Sequence, residues 1–332
     1  MAAGHEGAEL VSLSAAAPAI QWYPGHIAKA EKALAASLEK VDLVIEVRDA
    51  RIPLATSHPR LQRWIRGKQH LLVLNRRDMI TAPAQKQWDR WFRDHGHTPW
   101  WCDAKAGTGV KQLQQAAIRS GEALNARRAD RGMRPRPVRA LMLGFPNVGK
   151  SALINRLVRQ KVVESARKAG VTRSLRWVRL GQDLDLLDAP GVLPPRLDDQ
   201  QAALRLALCD DIGQAAYDTE AVALAFVRLL VALEPWPTSG VAAGLLERRY
   251  GVPLGVAVTS GEAPVTDAFP GAGHPSHAPD ADAWLQAAAS RHTSGDQLRM
   301  AQRLLDDFRR SLLGPISLEL PQGDVSSERN NS

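Results

Sequence analysis

The residues of this chain best suited to chemistry form the loop GFPNVGKS at 144–151. This loop matches the phosphate-binding pattern G-x-x-x-x-G-K-[ST], and it lies between an apolar run, VRALML, and a helical stretch, SALINRLVRQ. Glycines let backbone N–H groups face phosphates, and the helix N-terminus adds positive charge. The spacing predicts that Lys150 reaches the β- and γ-phosphates of a nucleotide and that Ser151 binds Mg²⁺. The loop residues predicted to contact phosphate are Asn147, Val148, Gly149, Lys150 and Ser151.

A second phosphate-site motif follows at the expected distance. DAPG at 188–191 ends an apolar run, where Asp188 would hold the Mg²⁺ shell and the N–H of Gly191 would sense the γ-phosphate. Between the two motifs lies KAGVTRS, in which Thr172 is placed to offer its hydroxyl to Mg²⁺ from a switch loop. An ordinary turn threonine is the alternative interpretation of Thr172.

The motif NRRD at 75–78 ends another apolar run, and its residues suit the recognition of guanine. The carboxylate of Asp78 can accept both N1–H and N2–H of guanine, and adenine offers no such pair of donors. Unpaired hydrogen bonds in a site are costly, so a pocket with Asn75 and Asp78 discriminates between the two bases. The usual pattern is N-K-x-D; Arg76 replaces the lysine here, and its stem could still lie over the base.

CDAKAG at 102–107 resembles the segment that completes a guanine pocket. We expect the N–H of Ala104 to contact guanine O6 and the stem of Lys105 to lie beside the ring. Asp103 stands where this pattern usually has serine. With Arg76, the predicted guanine-binding residues are Asn75, Arg76, Asp78, Ala104 and Lys105.

The order of these motifs is unusual, because the base-reading segments precede the phosphate loop. All of them follow predicted strands, and ligands of open α/β sheets bind at the carboxyl ends of strands. One pocket is therefore compatible with this order if the chain was rejoined elsewhere, and the Arg/Pro-rich stretch at about 122–137 is the expected join. The pattern predicts a circularly permuted GTPase.

Apolar runs predict six strands separated by helical stretches, which is typical of a doubly wound, mainly parallel α/β sheet. The predicted strands are 41–47, 70–75, 99–104, 138–144, 174–180 and 184–190, the last two forming a hairpin. Helices are expected at 82–95, 111–128, 198–212, 219–233 and 295–314, the last with Leu298, Leu304, Leu305, Phe308 and Leu312 inward.

This pattern predicts an α/β GTPase domain followed by a smaller, all-helical C-terminal domain. The predicted boundaries are a flexible tail at 1–19, the permuted GTPase domain at 20–196, the helical domain at 197–316 with a mobile loop at about 260–282, and a disordered tail at 317–332.

The charge distribution points to a polyanionic partner. The chain of 332 residues has a net charge of +8, and residues 121–176 hold 14 Lys/Arg against three acidic residues. Such a patch releases counterions when it binds nucleic acid, which favours RNA or ribonucleoprotein contact. A solvated basic linker is the alternative.

Other features bear on the compartment. Only Cys102 and Cys209 occur, there is no apolar run long enough to cross a membrane, and the Ala-rich start has no Lys or Arg. We expect a cytoplasmic protein that does not bind membranes.

The chain resembles the bacterial YlqF/RbgA ribosome-biogenesis GTPases from about residue 20 to 319. The resemblance rests on IQWYPGHIAKAEKAL, DLVIEVRDARIPL, the permuted motifs and LLDDFRRSLLGPISLE. It implies GTP hydrolysis coupled to late maturation of the large ribosomal subunit, contact with rRNA and a helical C-terminal domain. We expect ribosome-stimulated turnover and a monomer off the ribosome.

Two site residues need separate interpretation. Val192 stands where many GTPases orient water with a glutamine, and a valine cannot do so. His26, after a Pro-Gly turn, is the candidate catalytic residue, because the family that this chain resembles is thought to use that histidine. A structural or rRNA-contacting histidine is the alternative.

Asn147 resembles the residue that helps to hold K⁺ in potassium-activated GTPases, or else it is a turn asparagine.

Two other functions remain open at this point. The chain could be an RNA-binding module that uses GTP as a conformational ligand and hydrolyses it negligibly. It could also be an ATP-using P-loop enzyme, against which Asn75 and Asp78 argue.

Overall fold

The structure is a computed structural model that describes residues 20, 34–158, 176–189, 191, 193–194, 199–255 and 280–321. Several predictions from the sequence lie outside these residues: the tail at 1–19, His26, Thr172, Val192 and most of the loop at 260–282. Among the described helices, none is both long and apolar enough to cross a membrane.

A six-stranded sheet forms the centre of the molecule, in the order β3-β2-β1-β4-β6-β5. All neighbouring strands are parallel except β5 and β6, which form the predicted antiparallel hairpin. The strands are β1 (Leu43–Asp49), β2 (Gln69–Asn75), β3 (Pro99–Trp101), β4 (Val138–Gly144), β5 (Arg176–Leu180) and β6 (Leu184–Asp188). The mainly parallel sheet predicted from the apolar runs is confirmed.

The register of the strands brings the chemically important chain segments to one edge of the sheet. Asp49 at the end of β1 pairs with Asn75 at the end of β2, and Val47 pairs with Gly144 at the end of β4. Asp188 at the end of β6 pairs with Met142. The four parallel strands therefore end at the same edge of the sheet, with β4 ending two residues short of β1 and β6 two residues short of β4. This edge is where ligands bind in such sheets.

Besides the helical residues 34–38, ten helices of four or more residues lie within the described ranges. In chain order they are α1 (Leu61–Trp64), α2 (Ala82–Asp94), α3 (Val110–Arg119), α4 (Glu122–Ala129), α5 (Lys150–Val158), α6 (Gln200–Leu208), α7 (Thr219–Leu233), α8 (Leu245–Tyr250), α9 (Ala281–His292) and α10 (Gln297–Arg309). Aspartates begin four of the last five, because Asp199, Asp218, Asp280 and Asp296 accept N–H bonds in the first turn.

The single helix predicted at 111–128 is wrong, because the chain forms α3 and α4 with a break at Gly121. A Cβ on Gly121 would lie 1.9 Å from Cγ2 of Val138, the first residue of β4. The chain must pass this close to the strand, so a continuous helix with a side chain here does not fit. The predicted linker at 122–137 is thus helical over its first half, and α4 buries none of its residues.

Two leucines predicted to face inward from the last helix are exposed. Leu298 is 46% exposed in the first turn of α10, and Leu312 is 51% exposed beyond the helix end at Arg309. Leu304, Leu305 and Phe308 lie in the middle of the helix and are buried as predicted. The inward prediction is wrong for both ends: Leu298 lies on the exposed side of the first turn, and Leu312 lies beyond the last residue of the helix.

The disordered tail predicted from residue 317 is wrong for residues 317–321, which are buried. Leu318 donates its N–H to the carbonyl of Arg51, and the Glu319 carboxylate accepts N–H bonds from Leu54 at 2.7 Å and Ala55 at 3.1 Å. Burial raises the pKa of Glu319, and these two bonds partly oppose the rise. Helix α9 begins at Ala281, where the predicted mobile loop at about 260–282 ends.

Candidate functional site

The phosphate loop joins β4 to α5 in the predicted strand–loop–helix arrangement. Asn147 has a left-handed backbone with φ of 56°, and Gly149 has φ of 100°. A Cβ on Gly149 would lie 2.2 Å from Nδ2 of Asn75, so glycine is needed where the loop meets the base-reading motif. The loop ends as Lys150 and Ser151 begin α5, whose N-terminal N–H groups favour anions.

One buried amide joins three of the predicted motifs. Asn75 is 2% exposed, and its Nδ2 donates to the carbonyl of Val148 in the phosphate loop at 2.9 Å. Its Oδ1 accepts the N–H of Ala104 in the base clamp at 3.2 Å. Residues from β2, the segment after β3 and the loop after β4 therefore meet, as one pocket requires.

Asp103 shapes the turn that carries the predicted clamp residues. Its buried Oδ1 accepts N–H bonds from Lys105 at 2.7 Å and Ala106 at 3.0 Å. Short polar side chains stabilise turns in this way, so aspartate can replace the usual serine. The substitution therefore supports the clamp's backbone.

Asp78 is exposed on the turn Arg77–Met79 beside the clamp. The turn is held there because the N–H of Arg77 donates to the carbonyl of Cys102 at 3.1 Å. Partial burial raises the pKa of Asp78, and the nearby Asp103 charge raises it further. A base that donates two N–H groups would relieve this strain on the charged form.

Lys150 is almost fully buried behind the phosphate loop. Its Nζ donates to the carbonyls of Phe145 at 2.7 Å and Gly144 at 3.1 Å. Burial lowers the pKa of Lys150 to about 8, although Asp188 and Asp211 partly oppose the shift. A bound polyphosphate would favour the charged ammonium, because opposite charges stabilise each other most where water is excluded.

Asp188 and Ser151 fit a magnesium ion. Asp188 is 1% exposed; its Oδ2 accepts the Ser151 hydroxyl at 3.5 Å, and its buried Oδ1 has no hydrogen-bond partner in the described part of the chain. Burial raises the pKa of Asp188, while Lys150 and Ser151 lower it. An orphaned carboxylate oxygen beside a hydroxyl is a hard oxygen donor set, which suits Mg²⁺ together with phosphate oxygens.

Gly191 lies directly against the phosphate loop. A Cβ at this position would be 2.6 Å from both N and Cα of Pro146, which are backbone atoms that cannot rotate away. Gly191 and the phosphate loop are thus in contact, and a residue with a side chain does not fit at this position. The structure does not describe Thr172 or His26, whose predicted roles stay predictions.

The guanidinium of Arg76 lies against the phosphate loop. Its guanidinium donates to the carbonyl of Asn147 and to Oδ2 of Asp49, each at 2.6 Å. The Asn147 side chain donates in turn to the carbonyl of Asp210 at 2.7 Å. Sequence reasoning missed Asp49 and Asp210; only Asp49 gave a signal, as an acidic residue ending a buried strand.

The fold and the site together define a P-loop GTPase with circularly permuted motifs. A family model described as 50S ribosome-binding GTPase matches residues 139–227. Ribosome biogenesis GTPase A of Bacillus cereus is 38% identical over 211 residues, covering 64% of this chain and 71% of the relative. The Priestia megaterium protein of the same name is 35% identical over 217 residues, covering 65% and 75%. This chain therefore belongs to the ribosome biogenesis GTPase A family, and it is a GTPase.

Solved structures agree with the fold. The chain matches GNP-bound YlqF from T. maritima with a TM-score of 0.55 and 21% identity, over 89% of this chain and 99% of that chain. The GDP-bound TM YlqF structure gives 0.52 and 20% identity, over 86% and 97%. The α/β sheet followed by helices extends over nearly all of these chains.

Proposed function

We propose that this GTPase hydrolyses GTP to GDP and phosphate while it assists late assembly of the large ribosomal subunit. The observation that carries the nucleotide part is the Asn75 amide, which joins base reader, clamp and phosphate loop. The ribosomal part is supported by the names of its relatives. Ribosomal subunits are expected to stimulate turnover.

We assign a separate role to each residue of the pocket. Asp78 accepts N1–H and N2–H of guanine, the N–H of Ala104 donates to O6, and the Lys105 stem lies beside the ring. The phosphates lie against the N–H groups of the loop, with Lys150 at the β- and γ-phosphates. Support comes from the turn that Asp103 holds and from the buried position of Lys150.

Ser151, Asp188 and Thr172 would hold Mg²⁺, which neutralises charge on the β- and γ-phosphate oxygens when it is bound. The orphaned Oδ1 of Asp188 supports this assignment. Val192 has no hydrogen-bonding side chain, and the resemblance to the YlqF/RbgA GTPases implies that His26 positions the attacking water. The N–H of Gly191 contacts the γ-phosphate, since its backbone touches the loop at Pro146.

Asn147 is the proposed ligand for K⁺. Its amide nitrogen is occupied by the carbonyl of Asp210, so the amide has one orientation and its oxygen is the atom suited to a cation. K⁺ at this place would add positive charge near the phosphates. Hydrolysis should then be faster in KCl than in NaCl at equal ionic strength, and equal rates would contradict the assignment.

An arginine-rich surface supports rRNA as the partner. Trp177 is 44% exposed on the edge strand β5, and the Arg139 guanidinium lies 6.0 Å from its ring centroid. Arg131, Arg134 and Arg179 are also exposed. Arg136 links the segment to the sheet through both oxygens of Asp42, at 2.7 and 2.8 Å. Arginines beside an exposed aromatic ring suit RNA phosphates and unstacked bases.

The double variant R131E/R134E and the single variant W177A test this surface. Both should weaken binding of a single-stranded RNA, and R131E/R134E should also flatten the dependence of affinity on salt. The control R90E/R93E changes two exposed arginines on α2, at the opposite edge of the sheet. Equal losses in control and test variants would reject the surface.

The function itself is tested by GTP turnover with and without purified large subunits. We expect stimulation by subunits, loss of the stimulated rate in H26A, and unchanged GDP affinity in that variant. A subunit-independent, negligible rate would favour the GTP-switched RNA-binding module. Equal binding of ATP and GTP would instead favour the ATP-using class.

We further propose that the protein acts in the cytoplasm and is a monomer off the ribosome. Both cysteines, Cys102 and Cys209, are buried free thiols, which suits a reducing compartment. Burial raises the pKa of Cys102 to about 12, so its thiol stays protonated and unreactive. The two-domain division at about residue 197 also stays a proposal.

A further inference from the structure

Arg76 occupies the lysine position of the base-reading motif, yet its guanidinium serves the phosphate loop. Nη2 donates to the Asn147 carbonyl and Nη1 to Oδ2 of Asp49, both at 2.6 Å. The backbone of Arg76 is left-handed, with φ of 63°, which is uncommon for a residue with a Cβ. A strained backbone with two short charged hydrogen bonds indicates a constrained position.

The same guanidinium reaches the turn that follows α6. We define the α6 turn as residues 209–211. Arg76 Nη1 lies 3.4 Å from the carbonyl of Cys209 and 3.7 Å from Oδ1 of Asp211. Asn147, which accepts from Arg76, donates its side-chain amide to the carbonyl of Asp210. The phosphate loop and the α6 turn are thus joined twice, once through Arg76 and once through Asn147.

The surroundings of this link are buried and charged. Asp49 and Asp211 are completely buried, and Arg51 binds both oxygens of Asp49 and the Cys209 carbonyl. Neither carboxylate oxygen of Asp211 has a hydrogen-bond partner among the described residues. Displacing Arg76 would remove a nearby positive charge from the buried Asp49 carboxylate, which is costly where water is excluded.

A lysine could not replace these contacts. Arginine presents several donors on a rigid plane, so Nη1 and Nη2 bind different partners in fixed directions. A lysine has one compact ammonium on a flexible stem and would hold the loop carbonyl and Asp49 less rigidly. The arginine that replaces the lysine of N-K-x-D therefore provides two directed contacts that a lysine would not hold as rigidly.

We propose that Arg76 is a positioning residue that fixes the phosphate loop to the α6 turn, so that nucleotide binding restrains helix α6 and helix α7, which contacts α6. Any ligand that orders the loop must then also favour the docked α6 turn, because coupling between two sites is reciprocal. The inference rests on the nucleotide site proposed above. In this role Arg76 positions the phosphate loop and does not cover the base.

Amide hydrogen exchange with and without GDP, measured on the full chain, tests this coupling. In the wild type, GDP should slow exchange in residues 144–151 and, by about fivefold or more, in α6 and α7. R76K should keep the slowing in the loop and reduce it to less than about twofold in the helices. R77K is the matched control, since Arg77 is an exposed neighbour whose guanidinium donates to the side chain of Gln85.

The variant N147G gives an independent reading if R76K folds poorly. Glycine accepts the left-handed backbone at this position and removes the amide that reaches Asp210. It should also reduce the slowing in α6 and α7. Full slowing of the helices in R76K or N147G, or none in the wild type while the loop is protected, overturns the proposal.

Two further outcomes separate the possibilities. A base-covering role predicts that R76K, which restores the usual motif, keeps or raises GDP affinity with the coupling intact; that result also rejects the proposal. If GDP protects nothing at 144–151 in the wild type, the nucleotide site itself fails. Failure of the site and failure of the coupling are therefore distinguishable.

Discussion

Single residues decide whether the separate segments of this chain can form one site. Gly149 allows the phosphate loop to approach Asn75, and Gly191 allows the switch to approach Pro146. Both glycines were predicted from their motifs, because the chemistry of phosphate binding demands them. Asp103 shows the limit of such reasoning, since its support of the clamp turn is visible only in its hydrogen bonds.

Gly191→Ala should weaken binding of a non-hydrolysable GTP analogue by about tenfold or more, which corresponds to about 1.4 kcal/mol. The reason is the 2.6 Å approach of the new Cβ to backbone atoms of Pro146. GDP affinity should change less, because GDP has no γ-phosphate to contact the switch. Titration calorimetry measures both constants.

Gly255→Ala is the control for this change, since a Cβ there meets nothing within 4 Å. It should leave both affinities unchanged. An unaltered affinity of Gly191→Ala for the analogue would show that the switch does not close on Pro146.

His58 should make folding sensitive to mild acid. It is 5% exposed, its ring centroid lies 4.2 Å from that of Trp64, and burial lowers its pKa to about 4. The unfolded chain binds this proton more tightly, so stability is complete above about pH 6.5 and falls as the pH drops toward 4. Between pH 6.5 and 5 the wild type should lose about 1.6 kcal/mol of its free energy of unfolding through this group.

Urea unfolding at several pH values measures that loss. His58→Asn keeps an acceptor for the N–H of Arg60 but cannot titrate, so its stability should depend less on pH over this interval. Parallel curves for the two proteins would contradict the assignment to His58.

Elements were predicted well where burial imposes a simple pattern. β1 and β4 read as apolar runs because both faces of a parallel sheet are covered, and the residues of β4 match the prediction. Helix α7 also agrees with its predicted range. The helix at 111–128 was predicted as one piece, because no residue near Gly121 in the sequence indicates that Val138 lies against this glycine.

Gly121→Ala should destabilise the protein despite the better helix propensity of alanine. Its Cβ would lie 1.9 Å from Cγ2 of Val138, which is buried and stiff at χ1. Overpacking of this kind costs about 1–3 kcal/mol, more than the helix gains. Thermal and urea unfolding measure the net loss.

The double variant G121A/V138A checks the cause. Removing the two methyl groups of Val138 makes room for the new Cβ, so the double variant should lose less stability than the sum of the single variants. Strictly additive losses would mean that the two side chains do not clash.

At the scale of the whole molecule, the described residues after 199 are joined to the helices and loops that flank the sheet by contacts between residues far apart in sequence. Glu319 bonds to Leu54 and Ala55 and accepts from the Trp88 indole, while Thr81 donates to the Thr238 carbonyl. Pairings over such distances leave no local pattern, which is why the ordered residues 317–321 were not predicted. The order of the motifs, in contrast, could be predicted from the sequence, because the residues of each motif indicate their own chemistry.

The permuted chain is thus consistent with one guanine-nucleotide site made from two distant segments. The parallel register of β1, β2 and β4 brings Asn75 and Gly144 to the same edge of the sheet. Asp78 is the residue on which base choice depends most directly, because its carboxylate accepts both guanine donors. Xanthine has a carbonyl where guanine has the N2 amine, so an amide side chain at this position can donate to it.

The most direct test compares the affinities of GDP and xanthosine diphosphate for the wild type and Asp78→Asn. The wild type should prefer GDP, and the variant should lose about 100-fold or more in GDP affinity, as expected for two hydrogen bonds to a charged group. The variant should gain affinity for xanthosine diphosphate, while the exposed control Asp94→Asn behaves as the wild type. An unchanged preference for GDP in Asp78→Asn would contradict the account.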